Sequence, residues 1–132
     1  MRFIAVTSAV FVAAFGSVEA QDSSRGQDLF LRHCATCHGS TAQGDGPMAA
    51  VLSIPPADLT VLADDNGGAF PAGKVVRRID GEIEVLAHGG PMPLFGLVMQ
   101  GPSGVVVASD GSEIITSEAI VDMAAWLEEI QQ

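Results

Sequence analysis

Large aromatic side chains are scarce in this sequence, which has six Phe, one Trp and no Tyr among its 132 residues. A single domain of this length buries one modest core, and at 5% aromatics that core lacks bulk unless some other group fills it. Cations are scarce as well, with six Lys and Arg against sixteen Asp and Glu and a formal net charge of −10. Nucleic acid and anionic membrane surfaces both require clustered basic residues, so this balance excludes them as partners. Long apolar runs are missing too. The longest, Phe3 to Phe15, is broken by Thr7 and Ser8 and falls short of the ~20 residues a bilayer span needs.

That run follows the basic start Met1-Arg2 and leads to Val18-Glu19-Ala20, a small-residue end, after which the chain turns polar at Gln21-Asp22-Ser23-Ser24. Residues 1–20 therefore read as a secretory signal peptide cleaved near Ala20, with an uncleaved anchor as the alternative. Cleavage leaves 112 of the 132 residues, and because Arg2 and Glu19 leave together the charge stays at −10. Export also means an oxidising compartment, in which two free thiols do not persist unmodified.

Within residues 21–132, Ser23 or Ser24 is placed to cap a helix carrying Leu29, Phe30 and His33 on one side and running into Cys34. From Gly39 to Pro56 the glycines and prolines predict a wrapped loop, with a short helix over Pro47 to Leu52 and a brief turn capped by Asp58 or Thr60. Pro71 sits at a first helical position before Val75, Val76 and Ile79, and Gly81 stops that helix. A short apolar pattern, Ile83, Val85 and Leu86, then leads into the stiff loop His88-Gly89-Gly90-Pro91-Met92-Pro93. The β-branched stretches Gly104 to Ala108 and Glu113 to Thr116, on either side of Asp110-Gly111, predict a two-stranded hairpin. Thr116 or Ser117 caps a last helix whose stripe is Ile120, Met123, Ala124 and Leu127, with Trp126 beside it and Glu128 and Glu129 outward.

The chemistry is concentrated in Cys34-Ala35-Thr36-Cys37-His38, a C-x-x-C-H attachment sequence for one c-type haem. Two thiols one helical turn apart each reach one porphyrin vinyl group, while the adjacent imidazole supplies the proximal iron ligand. A thioredoxin-like redox pair would want a strand before it and a βαβ context, which is not the pattern here. A structural zinc would need further ligands, yet only His33, His38 and His88 are present and the first two abut the cysteines. A local disulfide explains the two Cys and leaves His38 without a role.

The opposite face of the iron needs a ligand or stays open, which separates electron transfer from chemistry on small molecules. Met48 follows His38 too closely, Met123 belongs to the stripe of the last helix, and Met99 lies in a less constrained stretch. Met92, held between Pro91 and Pro93, presents its sulfur on the stiffest backbone and is the favoured ligand, with His88 as runner-up. His33 reads as a helix-surface residue. The Pro47 carbonyl is the expected acceptor for the second nitrogen of the His38 ring. Lys74, Arg77 and Arg78 read as solvent-facing cations that complement a helix dipole.

Four segments in order resemble the mono-haem class I cytochrome c family of exported bacterial proteins. "GQDLFLRHCATCHG" (26–39) is similar to the first helix and haem motif, and "GDGPMAAVLSIPPADLT" (44–60) to the loop that follows. "HGGPMPLFG" (88–96) resembles the methionine-ligand loop, and "IVDMAAWLEEI" (120–130) the closing helix. The resemblance implies an all-α class I cytochrome c fold over residues 21–132, wrapped around one covalent haem, its first and last helices crossing through Gly26, Phe30 and Trp126. It departs over Val98 to Thr116, where the small inserted β-hairpin precedes the C-terminal helix. That insertion is either a cover or a docking surface.

The implied function is one-electron transfer rather than enzymatic catalysis: Cys34 and Cys37 anchor haem c, and His38 and Met92 ligate its iron. The alternative is a haem c subunit bound permanently to an exported dehydrogenase or oxidase, and a third possibility is a haem sensor or peroxidase with a displaceable sixth ligand. The charge predicts redox partners with a basic docking patch. No membrane insertion is expected after leader cleavage, and the resemblance implies a monomer or a small subunit of a redox complex.

Overall fold

The computed structural model describes residues 21–81 and 92–132. The proposed leader over residues 1–20 and the pattern Ile83, Val85, Leu86 with His88 lie outside the described residues. Helix α1 spans Ser23–His33 and is capped by Asp22, whose carboxylate accepts from the Arg25 amide at 3.0 Å. Ser23 and Ser24 were the expected caps. Both instead lie in the first turn, and the Ser24 hydroxyl donates to Asp22 at 2.7 Å, reinforcing a carboxylate that accepts backbone hydrogen bonds better than a hydroxyl does.

The Cys34 amide still donates to Phe30 O at 2.8 Å, so α1 passes through Cys34 into the single turn α2, Ala35–His38. The following loop then doubles back on α2, with the Gly46 amide donating to Cys37 O at 3.1 Å and the Met48 amide to Thr36 O at 3.0 Å. These bonds hold the chain in a turn, and the short helix expected over Pro47 to Leu52 shrinks to a 3₁₀ turn at Ala49–Val51. Asp58 accepts from both the amide and the hydroxyl of Thr60, at 2.9 and 2.6 Å, before another 3₁₀ turn at Asp64–Asn66.

Helix α3, Ala72–Asp80, starts one residue after Pro71, which serves as its N-cap, and buries Val76 and Ile79. It ends where anticipated, because Gly81 takes φ +96°, a left-handed value that side-chain-bearing residues avoid. The hairpin pairs β1, Ser103–Val107, antiparallel with β2, Glu113–Ser117, in a register that sets Val105 against Ile115 and Val106 against Ile114. Its two faces differ. Val106, Ile114 and Thr116 are buried against α3 and the last helix, whereas Val105, Val107 and Ile115 face outward.

Helix α4, Glu118–Glu129, is capped by the Ser117 hydroxyl, which accepts from the Ile120 amide at 3.4 Å. It is buried along Ile120, Val121, Met123, Ala124, Trp126 and Leu127. The crossing of α1 with α4 organises the core: the Phe30 and Trp126 rings stand 4.7 Å apart at 42°, and Gly26 lies directly under the Asp122 carbonyl. A charged clasp closes the same crossing. The buried Asp122 carboxylate accepts from the Asp22 amide at 2.9 Å and pairs with Arg25 Nε at 3.0 Å, a contact that lacks hydrogen-bond alignment. Among the described residues the fold is mostly helical with one small antiparallel sheet, as expected.

Candidate functional site

The site is built outward from the junction of α1 and α2. Cys34 ends α1 and Cys37 lies in the next turn, so the i, i+3 spacing presents both sulfurs to one side of the short helix. Neither thiol is in a disulfide. Cys34 is only 7% exposed and its Sγ lies 3.8 Å from Met123 Sδ on α4, while Cys37 is half-buried. Burial, with a smaller contribution from Cys37, pushes the Cys34 thiol up to about 11.

His38 closes α2 with its ring half-buried and Nδ1 3.0 Å from the Ala57 carbonyl. The expected acceptor was the Pro47 carbonyl. The loop around Pro47 is committed to the carbonyls of Thr36 and Cys37, and the chain continues round until the Leu59 amide donates to Ala42 O at 2.8 Å, which brings Ala57 to the ring. A carbonyl can only accept, so Nδ1 carries the proton in this hydrogen bond, and in the neutral tautomer this bond selects the lone pair is on Nε2. The imidazole is thus oriented from behind and free to ligate on its other edge.

Met92 is half-buried and packs against the core. Two links tie its segment to the rest of the molecule. The Phe95 amide donates to Ile79 O at 3.0 Å, and the Phe95 ring stands edge-on to His33 with centroids 6.5 Å apart. Three residues separate Met92 from Phe95, a reach of at most ~11 Å, and His33 is the neighbour of Cys34. The methionine segment and the C-x-x-C-H turn therefore share the C-terminal side of α1. Sequence reasoning missed Phe95; the signal available was its place just after Met92 in "HGGPMPLFG".

The other methionines sort by burial: Met123 is 1% exposed in the core, Met99 is 4% exposed with its amide on Phe95 O at 2.8 Å, and Met48 is exposed. His33 is half-buried, less free than the surface position expected. Lys74 donates to Asn66 at 3.0 Å and so is committed locally. A cavity of about 530 Å³ lies elsewhere, between β1, α4 and the Gly68–Phe70 loop, and none of Cys34, Cys37, His38 and Met92 lines it.

The donor set is two free thiols on one helical turn, an imidazole with an available Nε2 and a half-buried thioether. That is the chemistry covalent haem attachment and iron ligation require, and the residues present fit such a group. Among the described residues no group of three or more His, Cys, Asp and Glu could hold a metal ion by itself, and no helix is long and apolar enough to cross a membrane. Compared with known families, residues 23–131 match the family model for cytochrome c. No curated protein and no solved structure is similar enough to the chain to count as a match.

Proposed function

The chain belongs to the cytochrome c family, whose members are generally electron carriers rather than enzymes, and from that premise we propose that it shuttles single electrons between exported redox partners. Cys34 and Cys37 would hold one haem c through thioethers, with His38 and Met92 as its axial ligands. When bound, the haem would supply a one-electron change between ferrous and ferric iron, and a methionine thioether ligand would raise its potential. The protein's part is positioning. Ala57 fixes the His38 ring so that Nε2 needs no rearrangement between the two states, and the crossing of α1 with α4 holds Cys34 in place.

The orientation of His38 by Ala57, immediately after two free thiols, is the observation that carries this reading. Its test is the absorption spectrum of the exported holoprotein. A methionine-sulfur to ferric-iron charge-transfer band in the far red, lost in Met92→Ala, is the expected result. An unchanged spectrum in Met92→Ala would remove Met92 as the ligand, leaving another methionine where the band persists, and His88 or an open position as in a sensor or peroxidase where both proteins lack it.

A second reading, a haem subunit bound permanently to an exported dehydrogenase or oxidase, is favoured by one feature. Val105, Val107 and Ile115 leave the outer face of the hairpin apolar, with exposures of 47%, 62% and 71%. Gel filtration of the native material separates a free carrier from such a complex. Removal of a leader near Ala20 and a periplasmic location belong to the same proposal, and the mass of the exported holoprotein reports leader cleavage and the one-haem content together.

A further inference from the structure

The segment that follows Met92 is held by the C-terminal turn of α3, and that turn is in turn held by the hairpin. Leu94 packs on Gly81, where a Cβ would come within 2.8 Å of its side chain. The Phe95 amide donates to Ile79 O at 3.0 Å. Gly96 lies flat against Asp80, so close that a Cβ there would overlap both the carboxylate and the carbonyl of Asp80. Three consecutive residues, Leu94 to Gly96, thus match three consecutive residues, Ile79 to Gly81. The other carboxylate oxygen of Asp80 accepts from the Thr116 hydroxyl at 2.7 Å, and Thr116, on β2, is only 8% exposed.

Resting on the assignment of Met92 as iron ligand, we propose that Thr116 and Asp80 form a latch through which the inserted hairpin controls how readily Met92 leaves the iron. Both are positioning residues and neither touches the haem. Thr116 fixes the Asp80 carboxylate, the carboxylate and its backbone seat Gly96, and the seated stretch limits how far Met92 can swing away. Without the hydroxyl, a half-buried carboxylate loses a short charge-assisted bond and the seat of Gly96 loosens. The hairpin is therefore part of the ligand-holding machinery in addition to covering α3 and α4.

The test uses ferric holoprotein and the rate at which added imidazole displaces the sixth ligand. Thr116→Val removes the hydroxyl at nearly constant shape, and the expected displacement rate is about tenfold above that of the unaltered protein, with Thr116→Ser restoring it. Val106→Ala, which weakens the inner face of the hairpin without touching Asp80, is the control for general loosening, compared at matched distance from its unfolding midpoint. An equal acceleration in Val106→Ala and Thr116→Val overturns the latch, as does a Thr116→Val rate equal to that of the unaltered protein. Met92→Ala separates the two levels of the argument. If its rate equals that of the unaltered protein, the ligand assignment fails and takes the latch with it; if its rate is faster while Thr116→Val is unchanged, the latch alone fails.

Discussion

Gly26 shows how much one missing methyl group decides. A Cβ added there would overlap the Asp122 carbonyl of α4, so any side chain collides with backbone that cannot rotate away. Gly26→Ala should cost about 3 kcal/mol, the upper part of the usual range for overpacking, despite the better helix propensity of alanine. A urea-denaturation midpoint lowered accordingly, with the haem spectrum intact, is the expected result; an unchanged midpoint would mean that the crossing can slide. At this scale the sequence was informative where chemistry is local. Cys34, Cys37 and His38 stood out from spacing alone, and the pairing of Gly26 and Phe30 with Trp126 followed from family resemblance. The acceptor for His38 did not, because Ala57 reaches the ring only through a fold-back set by backbone hydrogen bonds that leave no mark on residue type.

Among the elements, α1 depends on its Asp22 cap. The Arg25 amide, then the Ser24 hydroxyl, hold that carboxylate below its ordinary value of 3.8. A lowered folded-state pKa contributes stability that is fully present above the ordinary value and is lost as pH falls through the folded one. Asp22→Asn keeps a capping oxygen but not the charge, so it should be less stable than the unaltered protein at pH 6, with the gap closing toward pH 3 in thermal melts. A gap that stays constant would assign the effect to shape instead of charge. The hairpin was the best-read element, since β-branched runs on either side of Asp110-Gly111 leave few alternatives. The helix expected over Pro47 to Leu52 was the poorest, because a proline start and apolar residues promise a helix that tethering to α2 cuts short. Likewise the latch between α3 and β2 joins residues 36 positions apart, and no local pattern announces it.

Over the whole molecule, sixteen acidic and six basic residues make a surface that attracts cations and repels copies of itself. Electron exchange with a partner bearing a basic patch should therefore slow as salt rises over the range where the Debye length falls from about 30 to about 8 Å. Stopped-flow rates that do not change with ionic strength would point instead to docking through the apolar face of Val105, Val107 and Ile115. The scarcity of aromatic bulk also finds its explanation at this scale, for the core is assembled from one Phe–Trp pair and aliphatic residues, and the donor set fits a haem as the missing large apolar group.

The contact between Cys34 and Met123 also bears on the order of assembly. In the closed crossing this sulfur is 7% exposed and lies against Met123 of α4, and burial pushes its thiol up to about 11, which leaves little of the reactive thiolate at neutral pH. Under the proposed thioether attachment, Cys34 would be modified while α4 is still away from α1. Attachment would then be a step in folding that precedes the docking of α4, and the finished crossing would close over the sulfur.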